Sequence, residues 1–245
     1  MKTSKKSLAL AVILSLGVCA NAWAETATTA VQVGAGVVGT TSKIEASGEY
    51  SVAIGVTDGW GTTTTASGVG SVAIGRSAMA TAEAATALGT YAFAYDQATT
   101  AFGPRTTVYG YCSSAFGAGA QTQKGYTAQT ALGDHSTVIG NYSVAVGSNA
   151  IVGNKYFDHE DQIWYYDAAT SGSALGNYSQ VRGDYGTALG AYAYASGKNS
   201  IALGYNSHAF EDNIVSVGGE WEDYDSGTKY NIKRRITNVA AAKDP

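Results

Sequence analysis

A short signature recurs along this chain: Ala, then a large apolar residue, then Gly, with the glycines at 55, 75, 89, 103, 117, 133, 147, 176, 190 and 204. The steps between them are 20, 14, 14, 14, 16, 14, 29, 14 and 14. The unit is therefore fourteen residues, and three units carry insertions. A fixed short period of this kind specifies a stack of like coils rather than a globular core. Ala73-Ile74-Gly75, Ala188-Leu189-Gly190 and Ala202-Leu203-Gly204 are representative copies.

Counting from the residue two before the Ala, the third position is Ala and the fourth is Ile, Leu, Phe or Val in every copy. Such alternation belongs to a short strand, whose neighbouring side chains point to opposite faces. A weaker alternation follows at the eighth and tenth positions, as in Ala78/Ala80, Ala92/Ala94 and Ser179/Val181. Each unit reads as strand, turn, strand, turn, and stacked units make two parallel sheets with strands about 4.8 Å apart. Ten coils then span on the order of 50 Å. The first, third and fifth positions form a flat, small-residue face, which suits close approach of another sheet and leads to the expectation of self-association along the roll; periodicity alone leaves open which face looks into the monomer and which toward its neighbours. Gly110, Gly140, Gly183 and Gly197 share the twelfth position, where a turn with positive φ is expected.

The chain opens with Lys2, Lys5 and Lys6 before an apolar run from Leu8 to Val18, followed by Ala22-Trp23-Ala24. This is the pattern of a secretory leader cleaved before Glu25, so the protein is expected to be exported. An exported chain left with one cysteine, Cys112, is not a disulfide scaffold. Removing the leader's three lysines leaves twelve basic residues against nineteen acidic ones, a formal charge of −7. That balance argues against a nucleic-acid partner. Beyond the leader no apolar run is long enough to span a bilayer as a helix.

Ser71-Val72-Ala73-Ile74-Gly75 and the run Asn199 to Ser207 resemble the head repeats of trimeric autotransporter adhesins of the YadA-like type, a family of type V secretion. Ile214 to Gly218, followed by Lys233 to Ala241, resembles their neck, which places Val217, Gly218, Arg235, Ile236, Asn238 and Val239 in that motif. The resemblance covers about Ile44 to Ala242. It implies an all-β, left-handed parallel β-roll of fourteen-residue two-strand coils, three rolls per head, and a neck leading to a coiled coil. The expected organisation is a signal peptide over 1–24, a head over 25–213 with insertions near 56–63 and 156–171, and a neck over 214–245. The implied function is non-catalytic, multivalent attachment to a host surface or extracellular matrix, with autoaggregation and a part in virulence, at the outer membrane of a Gram-negative bacterium. The implied partners are two further copies of the chain and a host protein or glycan; no cofactor or metal is implied. The family continues into a stalk and membrane anchor, whereas this sequence stops at Lys243-Asp244-Pro245, so it reads as an excerpt whose membrane contact lies in an anchor elsewhere. The family's collagen-binding repeats carry Asn before Ser-Val-Ala-Ile-Gly; here Tyr50, Gly70 and Ala84 stand in that place, which puts collagen binding in question.

Insertions in a solenoid become surface loops that often carry function. The larger one holds Tyr156, Phe157, Trp164, Tyr165 and Tyr166 among acidic residues. It reads either as a binding patch of aromatic anchors or as a flap covering this roll or a neighbour's. Trp60, in the smaller insertion, has the same two readings. Arg182-Gly183-Asp184 spells an integrin ligand at an expected turn, against the plainer reading of turn chemistry alone. Asp134-His135-Ser136 has the residue types of a hydrolase triad, but consecutive residues cannot form the relay. His159 beside Glu160 and Asp161 lacks a second soft ligand at metal spacing. Two other classes fit a solenoid: a polysaccharide-acting enzyme, which needs carboxylates clustered on adjacent coils, and an ice-binding roll. The regular coils carry mainly Ala, Ser, Thr, Tyr and Gly, and the Thr86, Thr100, Thr130, Thr187 register is broken by Ser114, Val144, Ser173 and Ile201.

Overall fold

The computed structural model describes residues 31–34, 44–56, 62–158, 163–222 and 228–237. The leader, Trp60, His159, Glu160, Asp161, Asn238 and Val239 lie outside the described residues. The chain winds into a parallel β-solenoid with one twelve-stranded and one eleven-stranded sheet. Sheet 1 runs from Val31–Gly34 to Val215–Ser216 and contains every copy of the signature. Sheet 2 runs from Ile44–Ala46 to His208–Ala209 and holds the second strand of each coil. No described helix is long and apolar enough to cross a membrane.

The register is in phase from coil to coil: Ala73 pairs with Ala87, Ala87 with Ala101, Ala101 with Ala115, and so on to Ala188 with Ala202. All these alanines are fully buried, as are Ala66, Ala80, Ala94, Val108, Val138, Val152, Val181, Ala195 and Ala209 on sheet 2. The small-residue face is therefore the inside of the roll, and the expectation that it forms a seam between chains is overturned. The physical reason is thickness. Two strands in fourteen residues enclose a core one side chain deep on each wall, and that space holds Ala or Val. The large residues at the fourth position are forced outward.

Serine serves the turns. At the first position Ser51 and Ser200 donate to the carbonyls of Gly48 and Gly197, both at 2.6 Å; at the eighth, Ser179 donates to Gly176 at 2.8 Å. Each bond stays inside the roll, where an unsatisfied hydroxyl or carbonyl is costly. The twelfth-position glycines only partly match expectation. Gly110 and Gly140 have φ of +87° and +150°, but Gly183 and Gly197 do not lie in the positive range. Those two are glycine because of crowding: a Cβ on Gly183 would meet the Gly197 carbonyl oxygen at 2.2 Å. Positive φ recurs instead at the signature glycines, such as Gly75 at +133° and Gly89 at +137°, and, near +55°, at the seventh and fourteenth positions, for example Tyr91, Ala98, Cys112, Tyr192 and Asn199. Their amides continue the ladder to the preceding coil, as Ala98 N–H to Glu83 O at 2.9 Å and Tyr192 N–H to Asn177 O at 2.9 Å.

The three insertions occupy turns. The smaller one near 56–63 sits in the first turn of its coil, between sheet 1 and sheet 2. A two-residue insertion and the long one sit in second turns. The long insertion is an antiparallel hairpin, Asn154–Asp158 with Ile163–Asp167, and begins two residues earlier than the sequence suggested. A second hairpin, Gly219–Glu222 with Lys229–Ile232, follows the last coil.

Candidate functional site

With alanine inside, the outer face of sheet 1 carries the bulk. Its fourth-position residues form one continuous row in register, Ile54, Ile74, Leu88, Phe102, Phe116, Leu132, Val146, Leu175, Leu189 and Leu203. Phe102 is 52% exposed and Leu189 44%. The rings of Phe102 and Phe116 lie 6.0 Å apart. The second-position row beside it holds Val52, Val72, Thr86, Val144 and Ile201 among Ser and Thr. A contiguous apolar stripe running the length of a roll is a surface built to be covered.

The edges carry aromatic ladders that sequence reasoning missed. On the first-turn edge Tyr178 and Tyr192 stack at 5.2 Å with an interplanar angle of 6°, and Tyr205 meets Tyr192 edge-on at 6.2 Å. On the outer face of sheet 2, Tyr95 and Tyr109 stack at 4.7 Å and Phe93 adjoins Tyr95 at 5.7 Å. Burial, and then the neighbouring Tyr109, push the Tyr95 phenol above its ordinary value. The signal was available: Tyr178 and Tyr192 share the seventh position of consecutive units, and Tyr95 and Tyr109 the eleventh.

Arg182, Gly183 and Asp184 are neighbours in a tight turn, not a displayed loop. Gly183 is buried under the next coil. The Asp184 carboxylate accepts the Thr170 N–H at 2.8 Å. Two other coils make the same bond from the same position, Asn141 to Thr127 N–H at 2.9 Å and Asp212 to Lys198 N–H at 2.7 Å. Arg182 lies over the Tyr194 ring at 5.4 Å.

In the insert hairpin, Tyr156 pairs with Tyr165, Phe157 with Trp164, and Lys155 with Tyr166. Tyr156 is 43% exposed, and the Lys155 ammonium stands 5.6 Å over the Tyr166 ring. Another residue not foreseen, Gln129, occupies the buried first position, where five of the other nine coils have Ser and the rest Ala, Thr or Gly. Its amide donates to Gln123 O at 2.8 Å and accepts the Gln123 N–H at 3.0 Å, which holds the two-residue insertion open.

Asp134 and His135 pair at 3.0 Å on the surface, while the buried Ser136 hydroxyl points inward to Gly133 O at 3.0 Å. The three side chains form no relay. No group of three His, Cys, Asp or Glu side chains fit to hold a metal occurs among the described residues. Cys112 is free and exposed, in the left-handed fourteenth position.

In the segment after the last coil, expected from the sequence to be the neck, Arg234 joins the chain back to the roll. Its guanidinium donates to Val217 O at 2.6 Å, Ser207 Oγ at 2.9 Å and Tyr205 O at 2.5 Å. Arg235 and Ile236 are exposed, and Val217 and Gly218 half-buried. Nearby, His208 is held below its ordinary pKa by burial, partly offset by a hydrogen bond with the Glu220 backbone.

Residues 45–57, 66–92, 130–150, 168–193 and 195–218 match the YadA head domain repeat, found in two copies. No curated protein sequence matches the chain. Among solved structures, the crystal structure of the collagen-binding domain of Yersinia adhesin YadA is similar, with 23% identity, coverage of 73% of this chain and 76% of that one, and a TM-score of 0.49.

Proposed function

The chain carries the head repeats of YadA and is a YadA-like adhesin head, and from that premise we propose that it works as a homotrimer at the bacterial surface. Three rolls turn the apolar row of sheet 1 toward a common axis and present their turns and outer sheets to a host cell surface or matrix. The observation that carries this reading is the row itself. Fully burying a Phe or Leu side chain contributes about 1.5–3 kcal/mol, and the row repeats that gain coil after coil. Three copies of each weak site then raise avidity by roughly 10² or more over a single contact. Matrix proteins, collagen included, and host glycans are the ligand classes to screen. The geometry of Asp184 favours turn chemistry over integrin binding, because its carboxylate is engaged within the roll.

Sedimentation equilibrium of the purified head tests the assembly. The expected mass is three chains, falling to one in Phe102→Glu, which leaves three carboxylates facing one another at the axis. A folded monomer for the unaltered chain would refute the reading.

A further inference from the structure

Three regular coils follow one another in the first half of the roll, with the sheet 1 strands Val72–Ile74, Thr86–Leu88 and Thr100–Phe102 stacked in that order. Their two edges carry opposite charge. In these coils the first-turn edge holds Arg76 and Arg105 and no acid, while the second-turn edge holds Glu83 and Asp96 and no base. Arg76, Arg105 and Glu83 are exposed, and Asp96 is half-buried. Both carboxylates are steadied by their own roll: Glu83 accepts from Gln97 Nε2 at 2.9 Å, and Asp96 accepts the Gly110 N–H at 2.6 Å. The Arg76 guanidinium stands over the Tyr91 ring at 5.2 Å. Among the described residues neither arginine meets a carboxylate of its own chain. The two edges lie at opposite ends of each sheet 2 strand; between Arg76 and Glu83 the extended stretch 78–81, around Met79–Ala80, alone spans about 10 Å.

A three-fold ring with sheet 1 turned to its axis sets the first-turn edge of each roll beside the second-turn edge of the next, a contact between unlike patches. A closed ring has no rise, so each residue stands at one height in all three copies. Along the roll Glu83 follows Arg76 by seven residues, half a coil or about 2.4 Å, and Arg105 follows Asp96 by nine, about 3 Å. Each arginine then has a carboxylate of the adjacent copy close to its own level. We propose that Arg76 meets Glu83, and Arg105 meets Asp96, across every junction between neighbouring copies, so that two belts of ion pairs girdle the head outside the apolar row. The inference rests on the three-fold assembly proposed above and gives both charged edges one occupant, a second copy of this chain. Exposed pairs of this kind add little affinity and act chiefly on the choice of partner. They favour parallel copies, in which unlike edges meet, over antiparallel ones, in which arginine edge would face arginine edge.

Carbodiimide coupling, which joins an amine to a carboxylate with no spacer, reads the contact in the assembled head. Arg76→Lys supplies the amine and keeps the charge. Mass spectrometry of the coupled trimer is expected to show peptides joined between positions 76 and 83, and the product should be lost when Glu83→Gln is added. Reversing the pair, with Arg76→Glu and Glu83→Lys together, should restore the same cross-link. Refolding copies labelled with heavy nitrogen alongside unlabelled ones shows whether the two ends come from different chains. A head that sediments as a trimer but gives no product between 76 and 83 in either orientation, or a product whose ends both come from one chain, overturns the pairing and leaves the three-fold assembly standing. A monomeric mass for the unaltered head overturns both.

Discussion

Besides its signature glycine, each regular coil has two residues in the left-handed region near φ 55°, and among the described residues most of these are not glycine. An L-residue with a Cβ pays about 1–2 kcal/mol there, with Asn and Gly the usual exceptions. Ala98 at φ 55° and Ala84 at φ 54° carry that cost, whereas Asn199 and Asn213 occupy the same position at ease, their side chains bonded at 3.0 Å. Ala98→Asn and Ala84→Gly should each stabilise the roll by about 0.5–1 kcal/mol, seen as a higher Tm. Asn199, which precedes Ser200-Ile201-Ala202-Leu203-Gly204, thus has a conformational role here, independent of any ligand. Asp184 makes the same point about the tripeptide it ends. Asp184→Asn keeps an acceptor for Thr170 N–H, as Asn141 does for Thr127, and is expected to leave stability unchanged. Asp184→Ala should cost roughly 1–2 kcal/mol by removing that acceptor. Denaturation curves of the two variants separate these outcomes, and equal losses would contradict the assignment.

At the scale of elements, the weak points of a stack are its ends and its insertions, because each coil is held only by its neighbours. The last coil is closed by the segment that follows it, through Arg234 and through the His208 backbone N–H, which donates to Gly218 O at 2.8 Å. His208 is held below its ordinary pKa of 6.5. The folded state therefore favours the neutral ring, while the unfolded chain takes up a proton once pH falls below about 6.5. The contribution is complete above that pH and is lost progressively as pH drops through it toward the depressed folded value. Acidification from pH 7.5 to 5 should lower Tm, and His208→Gln should flatten that dependence. An unchanged slope in the variant would assign the pH response to other groups.

Across the whole molecule, the proposed three-fold assembly through the apolar row would make stability a property of the assembly. Anything that binds the folded chain alone shifts unfolding by mass action, and in that assembly the partner is the chain itself. The Tm of the head should therefore rise with protein concentration, and that of Phe102→Glu should not. A concentration-independent Tm for both would argue against the three-fold seam as strongly as a monomeric mass. The proposed assembly leaves recognition to what remains outside: the turns, the outer face of sheet 2 and the insertions.

Period, strand order and the two-sheet stack were legible in the sequence because a parallel solenoid repeats one local decision. A step of fourteen with Ala and Gly in phase admits a single register, and Ala73 does pair with Ala87. Alternation alone shows that Ala73 and Ile74 face opposite ways; it carries no sign for inside and outside. Only the closed coil decided that, since its interior is too thin for Ile or Phe and so the apolar row, not the alanine face, meets the solvent or a neighbour. The tertiary structure likewise decided the fate of Arg182-Gly183-Asp184, which depends on the Thr170 amide one coil away. It also placed Gln129 inside the roll and aligned Tyr178 with Tyr192, contacts between residues distant in sequence that exist only once the coils are stacked.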